Sequence, residues 1–306
     1  MPLASTILMI RPVAFGYNEQ TAANNFFQSR DDSSQQTAIQ QQVLAEFDNM
    51  TQQLVDHDIE VIVIEDTADP PKPDAIFPNN WFCTFPSGSF SVFPMYAPNR
   101  RPEKRDEVVE WIADNFIVAS FEDWSEYEAE GLFLEGTGSM VIDHNSKIIY
   151  ACVSERTSES LLKKFAAAKG FQAISFNATD KNGRPIYHTN VMMCIGEDFA
   201  VVCSAAIVDE TERIAVTQLL QSTGHQLIDI SLEQMHSFAG NMLELQNMHG
   251  KKFILMSQSA WDSLAPEQRK QLQSFARPLP IAVPTIEQEG GSVRCMIAEI
   301  FLQPKA

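Results

Sequence analysis

Basic residues are scarce in this chain: 22 lysines and arginines stand against 40 aspartates and glutamates, for a formal net charge of −18. Such a surface repels nucleic acid and anionic membrane, so neither is an expected partner. Long apolar runs are missing as well. The longest, FAVVCSAAIV at 199–208, holds about half of the roughly 20 residues a spanning helix needs. The N-terminal MPLASTILMIRPVAF has no basic leader and too short an apolar run for a secretory signal, which makes the cytoplasm the expected compartment. No two of the five cysteines have C-x-x-C spacing, and an odd number argues against a disulfide framework. The six histidines form no H-E-x-x-H pattern, so no metal site is expected, and no cofactor either.

With 306 residues, 44 % hydrophobic and 20 % charged, the composition is that of a globular protein of one large domain or two ordinary ones. Short apolar runs rich in β-branched and aromatic residues recur along it: ILMI (7–10), EVIVIE (60–65), NWFCTF (80–85), FIVASF (116–121), SMVID (139–143) and KIIYACV (147–153). They continue through VMMCIG (191–196), FAVVCSAAIV, NMLELQ (241–246), KKFILMS (251–257) and RCMIAEIFL (294–302). Their length and flanking turn residues predict strands. Segments of helical periodicity lie between them, at 37–55, 103–115, 158–170, 209–224 and 265–276.

The order strand–strand–helix–strand repeats. When the loops that precede the first strand of each unit are aligned, Asn80, Glu135, His188, Asn241 and Cys295 fall into step, 53 to 55 residues apart. Units of that length must pack on their neighbours to bury an apolar face. Equivalent loops of such units, wrapped about one axis, would converge, and all five aligned residues are polar or nucleophilic.

Among these, Cys295 differs from Cys83, Cys152, Cys194 and Cys203, which sit inside apolar strands where a thiol is usually a small buried hydrophobe. It follows Gly290-Gly291-Ser292-Val293-Arg294, and a cation beside a thiol favours the thiolate. A lone His188 in YHTNVMM would read as a hydrogen-bonded structural residue. Glu135, between an apolar LFL and a Gly-Thr-Gly turn, is costly to bury unless paired. An imidazolium is its natural partner, so Glu135 is expected to orient His188 and favour its protonated form. The other histidines read as structural.

These motifs resemble the guanidino-group-modifying superfamily, which includes arginine deiminases, dimethylarginine dimethylaminohydrolases and amidinotransferases. The likeness runs in family order through PDAIFPNNWF (73–82), RRPE (100–103), LEGTGS (134–139), SERTSE (154–159), YHTN (187–190) and GGSVRCM (290–296). It is strongest to the amidinotransferase-like, citrulline-utilization hydrolase branch. The resemblance implies an α/β fold, the five-bladed pentein propeller of ββαβ repeats, as one domain over 1–306. It implies that Cys295 attacks the central carbon of a guanidino or ureido group, that His188 moves the protons and that Glu135 holds His188. Asp74 would bind a polar end of the substrate, and Arg156 with Arg100 or Arg101 a substrate carboxylate. Arg100 and Arg101 read equally well as a solvated charged turn, and Asn241 as a loop-shaping residue.

Three departures from the family pattern are informative. Asn80 and Asn190 stand where arginine deiminases carry aspartates that grip the guanidinium, and Glu135-Gly136-Thr137-Gly138 replaces the usual E-G-G-D. A cationic guanidinium wants buried anions, whereas a neutral ureido group wants an amide that both donates and accepts. The substitutions therefore shift weight toward citrulline or a similar ureide, and Asn80 resembles the pattern of arginine dihydrolases. The expected partner is a small-molecule amino acid with a guanidino or ureido group, and the reading leaves room for a homo-oligomer. Two rivals share the fold: amidino transfer to an amine, and a non-catalytic binding module, which would not need Cys, His and Glu in register. The polar stretch 15–37 reads as either a lid over the site or a plain surface loop, and the acidic stretch 121–131 as a solvated connector.

Overall fold

The computed structural model describes residues 2–27 and 36–305. Among the described residues, five three-stranded sheets follow one another, all with the same internal order. In each, a short first strand runs antiparallel to the middle strand; a helical segment follows, and the third strand returns parallel to the middle one. The first sheet is closed by the chain's own end: Ala298–Ile300 pairs with Thr6–Arg11, which pairs with Glu60–Glu65. The others have middle strands Ser89–Val92, Ile148–Cys152, Phe199–Val202 and Lys252–Ser257. A two-stranded pairing of Phe116–Ile117 with Gln303–Pro304 lies beside them.

Burial explains the strand chemistry. The middle strands have neighbours on both edges and both faces covered, so they read as unbroken apolar runs: all five residues of Ile148–Cys152 are buried. Third strands lie outermost and are half exposed, as in Glu60–Glu65 and Gln172–Phe176. Their polar character hid Gln172–Phe176, Gln226–Asp229 and Arg277–Ile281 from a search for apolar runs. The run at 199–208 is a strand only over Phe199–Val202. Asp229 then accepts from both Ser204 N and its hydroxyl and turns the chain into a short 3-10 segment. The acidic connector is more ordered than expected. Its Glu128 accepts from Met95 N at 2.8 Å and pairs with Arg101 and Lys104.

The apolar core runs between consecutive sheets. Leu8, Trp81 and Phe90 join the first and second, and Phe93, Ile149 and Phe165 the second and third. Tyr150, Val201 and Ile254 span the third to fifth, and Met9 with Leu255 joins the fifth to the first. No helix among the described residues is long and apolar enough to cross a membrane.

The aligned residues differ from expectation in one detail. Asn80, Glu135, His188 and Cys295 sit in or at the start of a single helical turn before the first strand, rather than at the strand's own mouth. Such a turn swings each side chain inward before pairing begins. Phe165, packed against Phe85, Phe93 and Trp124, anchors one inter-sheet core. Phe165→Ala is expected to lower stability by about 3–5 kcal/mol in denaturant unfolding.

Candidate active site

Glu135 lies at the centre of the cluster with no exposed surface. Its main-chain N–H donates to Ser139 Oγ at 2.9 Å, and Ser139 donates on to Arg156 O, which clamps the turn. One carboxylate oxygen, Oε1, accepts from Tyr96 N at 2.9 Å. The other, Oε2, stands 2.8 Å from His188 Nε2, 3.7 Å from Arg156 Nη1 and 3.8 Å from Arg100 Nη1. Burial opposes its charge, but Arg156, the His188 hydrogen bond and Arg100 more than offset that and hold the carboxyl at about 2. Gly138 has no room for a side chain: a Cβ there would strike Asn80 Nδ2 and stand 2.8 Å from His188 Nδ1. An aspartate here, as the E-G-G-D pattern would place it, would meet the same obstruction.

His188 is 2 % exposed. Against the ionised Glu135 its Nε2 carries the proton, which leaves Nδ1 as the basic nitrogen, next to Gly138 and Asn80. The ring's protonation differs from the sequence expectation. Burial pushes the imidazole down to about 4; Glu135 pulls upward, and the nearby Arg156 and Arg100 push down again. The resting ring is therefore neutral near pH 7.

Cys295 lies in the turn Val293–Met296 and is 5 % exposed. The neighbouring cation does not serve it as the sequence suggested. Arg294 turns its guanidinium to Ile297 O at 2.9 Å and Glu299 Oε2 at 3.0 Å. Two side-chain amides face the sulfur instead: Asn190 Nδ2 at 3.4 Å and Asn241 Nδ2 at 3.3 Å.

Cys295 and His188 line one cleft with Asp74, Asn80, Arg100, Arg156, Tyr187, Asn25, Phe77 and the Glu289–Gly291 loop. Asp74 accepts from Asn18 Nδ2 at 2.7 Å and lies 3.5 Å from Arg100 Nε. Arg100 grips Glu103 through two bonds of 2.9 and 2.8 Å and donates from Nη1 to Asn80 Oδ1 at 2.9 Å. That network, not a solvated turn, is its setting. Arg156 donates to Asn24 Oδ1 and Thr21 O and lies over the Tyr187 ring, 4.9 Å from its centroid. Arg101 is not brought to the cleft. It is about a third exposed and bonds Met95 O and Glu128 on the outside. Asn190 stands behind the sulfur rather than in the cleft lining.

Sequence reasoning missed Asn25, Tyr187 and the contact of Asn241 with the sulfur. Only Asn241 carried a signal, its place in the repeat. From the 15–37 stretch, Asn18, Thr21, Asn24 and Asn25 are buried and bonded to Asp74, Arg156 and Gly290, so this part packs on the site. Residues 28–35 of it lie outside the described residues.

A family model described as eukaryotic N,N dimethylarginine dimethylhydrolase matches residues 11–302. No curated protein matches the sequence. Among solved structures, ArgZ, an arginine dihydrolase from cyanobacteria, superposes with a TM-score of 0.70 at 14 % identity. That alignment covers 96 % of this chain and 40 % of the other, so the present chain spans well under half of that protein. The N-terminal domain of ArgZ, solved bound to its substrate, gives the same score with 97 % of its length covered. A mutant of DDAH from Pseudomonas aeruginosa, complexed with citrulline, gives 0.64 at 13 % identity, with 98 % of this chain and 100 % of that one covered. At these identities the likeness is one of fold.

Both titrations give the same sign. His188 is depressed from 6.5 to about 4 and Glu135 from 4.5 to about 2, so the unfolded chain binds more protons in each interval. Their contribution to stability is complete above pH 6.5. It is expected to fall as pH drops toward about 4, then further toward 2, in pH-resolved unfolding. NMR titration of the His188 ring is expected to find it neutral at pH 6. Gly138→Ala is expected to displace His188 or Asn80 and lower activity about tenfold or more, with the fold retained by circular dichroism.

Proposed function

The chain belongs to the N,N dimethylarginine dimethylhydrolase family, and from that premise we propose that it hydrolyses a C–N bond of an amino acid bearing a guanidino or ureido group, through a covalent intermediate on Cys295. The observation that carries the proposal is the meeting of Cys295 and the Glu135-bound His188 in one cleft with Asp74, Asn80 and Arg156. The five like-ordered sheets, with cores shared from each to the next and from last to first, support the five-bladed propeller reading, in which equivalent loops meet at an axis.

The neutral His188 suits the sequence of proton moves. Its Nδ1 takes the thiol proton, and the Cys295 sulfur attacks the central carbon. The imidazolium, held by Glu135, returns that proton to the departing amine as the C–N bond breaks. A water then gives a proton to His188 and its oxygen to the carbon. The C–S bond breaks to the thiolate, and His188 returns the proton. Arg156 is the candidate for a substrate carboxylate. It would have to exchange part of its bonding to Asn24 and Thr21, whereas Arg100 is fully engaged and Arg101 lies elsewhere.

Asn80 bears on the substrate's end group. Arg100 donates to its carbonyl oxygen and one of its N–H groups goes to Asn79 Oδ1 at 3.1 Å, so the second N–H is what remains to offer, beside His188, while Asp74 supplies an acceptor. One donor and one acceptor suit the C=O and N–H of a ureido group; a guanidinium presents donors only. Asn190, with its amide on the sulfur, adds no anion either.

The test is product analysis with arginine, dimethylarginine and citrulline in parallel. Consumption of citrulline with release of ornithine is the expected result, and conversion of arginine to citrulline that stops there would refute the ureido preference. Cys295→Ser is expected to lower turnover by at least about a thousandfold without loss of folding.

A further inference from the structure

We propose that Asn241 is a positioning residue for the Cys295 sulfur, with Asn190 as its companion, so that two side-chain amides fix the sulfur for attack. The inference rests on the reading of Cys295 as the nucleophile.

Asn241 is fully buried, and each polar atom of its amide is committed. Its Nδ2 donates to Asn190 O at 2.9 Å and faces Cys295 Sγ at 3.3 Å. Its Oδ1 accepts from Arg294 N at 3.0 Å, one residue before the cysteine. One planar group thus holds the backbone of the 293–296 turn, the backbone at Asn190 and the sulfur itself. With its oxygen occupied by a main-chain N–H, the amide turns its N–H side to the sulfur, the polarity a thiolate requires. Asn190 Nδ2, at 3.4 Å, supplies a second N–H. With Arg294 turned to Glu299, these amides take the part the sequence assigned to that cation.

The local sequence serves this approach. Gly240 lies against the backbone at 191–192: a Cβ there would strike Val191 O and come within 2.6 Å of Met192 C. Any larger residue would lift Asn241 away from Asn190 and from the sulfur. A loop-shaping asparagine would need neither this proximity nor an amide aimed at the cysteine.

The test follows alkylation of Cys295 by iodoacetamide across pH, read by peptide mass spectrometry, in the wild type and in Asn241→Asp. The aspartate is isosteric and keeps the acceptor for Arg294 N, but replaces the donor on the sulfur by an oxygen. Labelling at neutral pH is expected to fall about tenfold or more. In turnover, kcat is expected to fall with KM within about twofold. Thermal melts report folding. If Asn241→Asp does not fold, Asn241→Ser, which shortens the group out of reach, carries the same test. A fast wild-type rate that neither folded variant changes overturns the role of Asn241 and leaves the hydrolase reading standing. Wild-type labelling of Cys295 as slow as that of the other four cysteines would instead count against the nucleophile.

Discussion

The site is built around one buried negative charge. Glu135 has no contact with solvent, and its ionised form persists because His188, Arg156 and Arg100 surround it. Removing a partner from such a cluster leaves charge uncompensated in a poorly solvating interior, at a cost of several kcal/mol. The same carboxylate fixes the tautomer of His188 and so leaves Nδ1 free to take a proton. Arg100 extends the cluster to Asp74, Asn80 and Glu103, and Arg156 ties it to the 18–25 segment. The proposed substrate contacts and proton transfer, like the local packing, therefore depend on one ion.

Repetition makes the cluster possible. Each unit offers only a short loop before its first strand, and no unit holds a complete reactive group. Asn80, Glu135, His188, Asn241 and Cys295 come from five such loops, yet hydrogen bonds link Glu135 to His188 across 53 residues and Asn241 to Cys295 across 54. The proposed nucleophile and base, the carboxylate that holds the base, and the amides of Asn80 and Asn241 occupy equivalent positions in consecutive units. Rigid middle strands, buried along nearly all their length, hold these loops in register.

The sequence shows the parts that depend on period and residue type. Middle strands stand out because burial on both faces demands unbroken apolar runs, and the aligned polar residues stand out because they interrupt that pattern in phase. Half-exposed third strands such as Gln226–Asp229 carry no such mark. Directions of side chains are not written in one dimension. Arg294 is adjacent to Cys295 in the chain but reaches for Glu299, and Arg101 lies outside the cleft that its neighbour Arg100 lines. The neutrality of His188 was equally hidden, because it arises from burial and from two arginines placed by distant segments. Asn241 was visible by register alone, and its contact with sulfur required the approach that Gly240 permits.

That Cys295 forms a bond to substrate carbon in the cleft it shares with His188 is the central claim. Acid quenching during turnover of citrulline or arginine, followed by intact mass and peptide mapping, tests it directly. The account predicts a substrate-derived adduct on Cys295 that accumulates when water attack is slowed. Steady turnover with no adduct on that residue, or an adduct on another cysteine, would contradict it.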